Sequence, residues 1–266
     1  MDERNKRQVV LVTGSAQGIG RVIVDAFAED GAMVVGLDLP GGAISAQRAE
    51  FESAGTGTAF EADVRDSAAL RGIAEEVARR FGRIDVLVNN AGINVTGPVD
   101  EMDDDAWDRC FQINVGGVYR MSKAVIPAMK RQEGGRIINA ASFAALIPSV
   151  DQAAYAASKA AVTSFTRTLA GELGPWNITV NAYAPGMIPS AMNGFADMPE
   201  GAQSALLDTL TLRRWGRGED VANLIRFLAS EEASYITGTL IDVSGGKYAT
   251  QFPARAHERR ASKSGL

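Results

Sequence analysis

Apolar residues follow two rhythms along this chain. Short unbroken runs alternate with longer stretches in which apolar positions return every three or four residues, the period of a helix with one buried face. The short runs are Gln8–Thr13 (QVVLVT), Ala32–Leu37 (AMVVGL), Thr58–Glu61 (TAFE), Ile84–Val88 (IDVLV), Arg136–Asn139 (RIIN), Ile178–Ala182 (ITVNA) and Thr239–Val243 (TLIDV). Helical patterns occupy about 18–30, 66–81, 103–131, 152–173 and 218–229. Strands without polar alternation need cover on both faces, which crossover helices provide. The order predicts an α/β fold: a single Rossmann-like, doubly wound domain with a seven-stranded parallel sheet flanked by helices. Two regions break the rhythm, Pro185–Leu212, rich in Gly, Pro and Met, and the tail 247–266.

Composition narrows the choices. A chain of 266 residues, 46% hydrophobic and 22% charged, can bury one large core without covalent staples. Cys110 is the single cysteine, so no intrachain disulfide can form, and it reads as a small packing residue of a protein in a reducing, cytoplasmic setting. The net charge of −5 lacks the basic footprint of a nucleic-acid binder. Residues 1–7 (MDERNKR) are too polar for a secretory signal, and no apolar run approaches the roughly 20 residues that span a bilayer. The expectation is no nucleic-acid partner and no membrane. His257, the one histidine, lies in the polar tail, which excludes a Ser–His–Asp hydrolase and a multi-His metal site. With no CxxC or HExxH, no metal is expected, and the chemistry falls to Ser, Tyr, Lys, Asp, Asn or a cofactor.

The first strand runs into Thr13–Gly20 (TGSAQGIG) and then a helix. Glycines let the backbone turn sharply and approach a pyrophosphate, while the helix N-terminus offers unpaired N–H groups to the anion. A glycine triplet is weak evidence in a random loop and much stronger between a first strand and a first helix. Asp38 closes the second strand, where a carboxylate accepts hydrogen bonds from adenosine ribose hydroxyls and repels a 2′-phosphate. Farther on, Tyr155 and Lys159 stand one turn apart on a helix. A free phenol has a pKa near ~10, and a neighbouring ammonium is expected to lower it toward the working range. YxxxK occurs by chance in many helices. Ser142, after the fifth strand, strengthens it by offering a hydroxyl to a substrate oxygen.

The GxxxGxG spacing behind Thr13, followed by Ser142, Tyr155 and Lys159, resembles the short-chain dehydrogenase/reductase family over about residues 8–246. The resemblance implies an NAD(H)-dependent oxidoreductase interconverting a secondary alcohol and a ketone by hydride transfer, with tyrosine as general acid/base. Its catalytic set maps onto Asn114, Ser142, Tyr155 and Lys159, with Asn114 interrupting its helix and holding a water that connects the lysine to solvent. Its cofactor contacts map onto Gly14, Gln17, Gly18, Ile19, Gly20, Asp38, Leu39, Asp63, Val64, Asn90, Ala91, Gly92, Tyr155, Lys159, Pro185, Gly186, Ile188 and Ser190. NADP-preferring relatives carry a basic residue at the position of Gln17 or Leu39. Both are uncharged here, so NAD is expected.

Substrate contacts are expected from Ser142, Phe143, Tyr155, Met187, Met192 and Phe195. Residues of about 187–212 would form a substrate lid, with Met192, Phe195 and Met198 as its apolar face. Residues 1–246 would be the oxidoreductase domain and 247–266 a solvated C-terminal extension. Phe143–Val150 (FAALIPSV) carries no charge, which favours a neutral, partly apolar small-molecule substrate, although Arg213 and Arg214 can enter from the lid's far end. The alternatives are a polyol or sugar dehydrogenase, a 3-oxoacyl thioester reductase and, from another class, a catalytically silent dinucleotide-binding regulator. The family also implies a homo-oligomer, a homotetramer or a dimer.

Overall fold

The computed structural model describes residues 7–190 and 194–264. Seven strands, β1 (Val9–Thr13), β2 (Met33–Asp38), β3 (Gly57–Glu61), β4 (Val86–Asn89), β5 (Gly135–Ala140), β6 (Ile178–Pro185) and β7 (Leu240–Val243), form one sheet in the order β3-β2-β1-β4-β5-β6-β7. Every pairing is parallel. The helices are α1 (Gly18–Glu29), α2 (Gly42–Ala54), α3 (Ser67–Phe81), α4 (Asp104–Asn114), α5 (Gly116–Arg131), α6 (Ala153–Leu173), α7 (Glu200–Leu207), α8 (Gly218–Ala229) and α9 (Ala254–Ser264).

The continuous apolar strands are explained by the two layers they separate. Within β1, Val9 and Leu11 join a core with Leu70 and Val77 of α3, Met121 and Val125 of α5 and Leu169 of α6. Val10 and Val12 point the other way, into a core with Ile23 and Phe27 of α1, Phe51 of α2 and Ile225 of α8. Successive side chains of a strand face opposite sides, so a strand covered on both must be apolar throughout. The chain winds outward from β1 to β3, returns to β4 beside β1, and winds the other way. That reversal opens a crevice at the carboxyl ends of β1 and β4, where such sheets bind their ligands.

The pattern over 103–131 is two helices, broken where the family resemblance implied: α4 ends at Asn114, and Val115 carries φ −102 and ψ −52 before α5 begins. Two expectations change. Helix α2 was not expected, because its apolar face is thin, with Ile44, Gln47 and Phe51 as its buried residues. The tail is not simply solvated. Pro253 is buried, α9 follows it, and the His257 ring meets the carbonyl of Thr211 at 2.9 Å. No helix among the described residues is long and apolar enough to cross a membrane.

Candidate active site

The glycine loop after β1 is shaped by contacts that no side chain could share. Gly14 and Gly18 have φ of +66° and +55°, the left-handed region that favours glycine. Gly20 lies so close beneath Gly14 that a Cβ there would sit 1.9 Å from the Gly14 carbonyl oxygen. The loop after β4 docks on the same turn. The backbone N–H groups of Asn90 and Ala91 both donate to Thr13 Oγ1 at 3.1 Å, and the Asn90 amide donates to the carbonyls of Thr13 (3.2 Å) and Gly14 (3.0 Å). Tyr183 of β6 donates its hydroxyl to Asn90 Oδ1 at 3.1 Å.

Asp38 sits across the loop. Its Oδ2 accepts the Ala16 N–H at 2.9 Å and its Oδ1 the Leu39 N–H at 2.8 Å. Two backbone donors fix the carboxylate's orientation and leave acceptor capacity for further donors. Asp63 pairs with Arg65 at 2.6 Å, and the guanidinium holds its carboxyl below the usual range.

At the other end of the crevice, Ser142 ends β5's extension and caps the 3₁₀ turn Phe143–Ala145, its Oγ accepting the Ala144 N–H at 3.1 Å. That leaves the serine's own proton to donate. Tyr155 and Lys159 project from the first turns of α6, with the Lys159 Nζ 5.6 Å from the phenol ring centroid. Lys159 is only 4% exposed and donates to the Ala140 carbonyl at 2.8 Å. Burial pushes its pKa down to about 8. The expected lowering of the Tyr155 pKa does not appear. Burial raises it, with the Ser142 hydroxyl acting in the opposite sense, because the nearest ammonium is directed at a carbonyl rather than at the phenolic oxygen.

Asn114 is fully buried and does not line the crevice. Its Nδ2 donates to the Ile93 carbonyl and to Ser158 Oγ, both at 3.0 Å, and its Oδ1 accepts the Ile93 N–H at 2.8 Å. Gly92 is wedged beside it: a Cβ there would meet Asn114 Oδ1 at 3.0 Å and Lys159 Nζ at 3.5 Å.

These groups surround one cavity of ≈ 470 Å³. Of the residues the sequence singled out, Gly14, Gln17, Gly18, Ile19, Gly20, Asp38, Leu39, Asp63, Val64, Asn90, Ala91, Gly92, Ser142, Phe143, Tyr155, Lys159, Pro185, Gly186, Ile188, Ser190 and Phe195 line it. Met187 does not. It is 5% exposed and packs into the protein, its carbonyl accepting the Gly216 N–H at 3.0 Å. Met192 lies outside the described residues. Among the lining residues that escaped sequence reasoning, four are polar: Arg65, Asn94, Gln152 and Tyr183. Gln152 and Asn94 adjoin the recognised motifs, so proximity was their available signal. A fifth, Gln47, acts from behind the loop. Ser15 Oγ donates to its Oε1 at 2.7 Å and its Nε2 donates to the Ser15 carbonyl at 2.8 Å. It comes from α2, which the pattern did not reveal.

Comparison with known proteins agrees with this geometry. Residues 14–247 match a family described as enoyl-(acyl carrier protein) reductase. The chain is 38% identical over 244 residues to the 3-oxoacyl-[acyl-carrier-protein] reductase FabG of Thermotoga maritima, covering 91% of this chain and 98% of the relative. It is 36% identical over 241 residues to the FabG of Escherichia coli, covering 91% and 97%. The chain belongs to the short-chain dehydrogenase/reductase family. Among solved structures, that of an NAD+-bound xylitol dehydrogenase is similar, with a TM-score of 0.85, 31% identity, and coverage of 90% of this chain and 98% of that one. As a member of that family the chain is a nucleotide-binding oxidoreductase acting on CH–OH and keto groups.

Proposed function

We propose that this short-chain dehydrogenase/reductase is an NAD(H)-dependent enzyme of secondary alcohols and ketones, with Tyr155 as its general acid/base. The cofactor assignment rests on Asp38. Its carboxylate, pinned by two backbone N–H groups beside the glycine loop, suits ribose hydroxyls as donors and repels a 2′-phosphate. No cation stands at Gln17 or Leu39 to reverse that preference. The turn from Gly14 to Gly20, so tight that a Cβ at Gly20 would strike the Gly14 carbonyl, leads directly into the N-terminus of α1 and fits a dinucleotide's pyrophosphate. Gly14, Gly18, Ile19 and Gly20 would hold the phosphates, Asp38 the adenosine ribose, and Asn90, Lys159, Pro185, Gly186, Ile188 and Ser190 the nicotinamide half.

A bound nicotinamide dinucleotide supplies the hydride acceptor for oxidation and the donor for reduction. The protein's own groups manage the oxygen. Ser142, whose Oγ accepts the Ala144 N–H, would donate its hydroxyl proton to the substrate oxygen and steady the charge that develops there. Tyr155 takes the alcohol proton in oxidation and returns it in reduction. Lys159, whose ammonium lies on the Ala140 carbonyl in this structure, would oppose the cost of a phenolate once it turned toward the Tyr155 oxygen. Asn114 holds the Ile93 backbone and, through Ser158, the first turn of α6, so that Tyr155 and Lys159 keep their positions.

A second reading, reduction of a 3-oxoacyl thioester, is favoured by the names of the curated relatives. The two readings separate in one assay that follows reduced-nicotinamide absorbance with secondary alcohols, polyols and 3-hydroxyacyl thioesters, each with NAD+ and NADP+. Turnover with NAD+ supports the Asp38 argument. Turnover confined to NADP+ and thioesters replaces it with the second reading. Residues 187–212 are proposed to act as the substrate lid, with Phe195 stacked on Trp215 at 5.6 Å between ring centroids. A homo-oligomer and a cytoplasmic location follow from the same family reading.

A further inference from the structure

The uncharged segment after Ser142 argues for a neutral substrate only if no cation reaches it through space. One does. Lys247, which stands next to the cavity's lining residues but not among them, places its Nζ 5.8 Å from the ring centroid of Phe143, a lining residue adjoining Ser142 in the chain. The same ammonium donates to Thr209 Oγ1 at 2.5 Å, beyond the end of α7 in the proposed lid. Three segments remote in sequence thus converge at one positive charge.

The placement is built rather than incidental. Gly245 and Gly246 both take left-handed φ, +68° and +80°. The turn is tied to the lid's base by the Leu212 N–H donating to the Gly245 carbonyl and by Thr211 Oγ1 donating to the Gly246 carbonyl, each at 3.0 Å. The Lys247 N–H donates back to Ser244 Oγ at 3.0 Å. The side chain is half-buried, and burial lowers its pKa with no carboxylate acting against it. Among the described residues, no acidic group pairs with it. The two arginines that the sequence offered for this region are already engaged, Arg213 by Asp208 and Arg214 by Asp220, both at 2.8 Å. A partly desolvated cation without a counter-charge is stabilised by an arriving anion.

We infer that Lys247 is a specificity residue that receives a carboxylate of the substrate, which makes a hydroxy acid or keto acid the substrate class. A single ammonium balances the one negative charge of a carboxylate but only part of the nearly double charge of a phosphate. The inference deepens the dehydrogenase reading and rests on it for the position of the reacting carbon at Ser142.

The test is calorimetric titration of the NAD+-loaded protein with acetoacetate, 4-oxopentanoate and 5-oxohexanoate, each beside its methyl ester. Oxidised probes with oxidised cofactor cannot turn over, so binding alone is read. At least one acid is expected to bind the wild type about tenfold or more tightly than its ester. Lys247→Met, which keeps most of the stem, should bring that pair within about threefold, and Lys247→Arg should restore most of the preference. Unchanged NAD+ affinity and thermal midpoint certify that the variants are folded. The inference is overturned if no acid outbinds its ester by that margin or if the preference survives in Lys247→Met. Titrations without cofactor keep the two claims apart: failure to bind NAD+ removes the cofactor assignment, while the acid–ester comparison still reads Lys247.

Discussion

Asn114 and Ile93 exchange two hydrogen bonds across the floor of the active site: the Ile93 N–H donates to Oδ1 at 2.8 Å and the Asn114 Nδ2 donates to the Ile93 carbonyl at 3.0 Å. A side-chain amide here imitates a strand neighbour and satisfies a backbone that follows β4 with no partner strand. This explains why the long helical pattern breaks after Asn114, since the residue serves the loop after β4 rather than a continuous helix. It also makes the asparagine a positioning residue in this state, with its amide committed to protein partners.

Replacing Asn114 with alanine strands the Ile93 N–H and carbonyl. The expected loss is about 2 kcal/mol of stability, the scale of leaving buried polar groups unpaired. Turnover should fall as the loop and α6 drift, while NAD+ still binds. Urea unfolding and steady-state kinetics check both. Stability within a few tenths of wild type would mean the exchange contributes little.

Tyr155→Phe removes one hydroxyl and little volume. Turnover should fall by roughly 10²–10⁴-fold, the usual share of a general acid/base. NADH binding, read by fluorescence, should stay near wild type. Retained activity would remove Tyr155 from its role.

Gly20→Ala places a methyl group 1.9 Å from the Gly14 carbonyl oxygen and 2.6 Å from Asn90 Nδ2. The glycine loop must open, costing about 1–3 kcal/mol as overpacked sites do. Dinucleotide affinity should drop at least about tenfold. A variant that binds NADH normally would show that the loop yields without consequence.

Asp38→Ala leaves the Ala16 and Leu39 N–H groups without their acceptor. The expected result is about tenfold weaker NAD+ binding and a narrowed gap between NAD+ and NADP+. Comparing the two dissociation constants before and after the change decides whether Asp38 is the selector.

Lys159 gives a pH signature. Burial holds its folded pKa at about 8, below the 10.5 of the exposed group. Below about pH 8 both states are protonated and the burial cost is fully felt. Between the two pKa values the unfolded chain holds a proton that the folded one lacks, so stability from this group rises with pH. Against Lys159→Met, the wild type should gain on the order of 3 kcal/mol between about pH 7 and about pH 10.5. Paired urea titrations read this directly, and a constant gap would show that the ammonium is not desolvated.

The sequence by itself determined the seven-stranded parallel sheet and pointed to the glycine turn and to Ser142, Tyr155 and Lys159, whereas the order of the strands came from the tertiary structure. Strand faces follow from runs such as Val9–Val12, the turn from glycine spacing, and the Tyr155–Lys159 pair from helical period. Only the tertiary structure decided what Gln47, Met187, Asn114 and Lys247 do. Gln47 lies on a weakly patterned helix and reaches Ser15 from behind. Met187 turns inward although it lies in a recognised motif. Asn114 meets Ile93 through space. Lys247 reaches Phe143 because two left-handed glycines and their bonds to Thr211 and Leu212 hold it there. Local periodicity carries no record of such meetings; they exist only once the packed layers bring distant segments within hydrogen-bond reach.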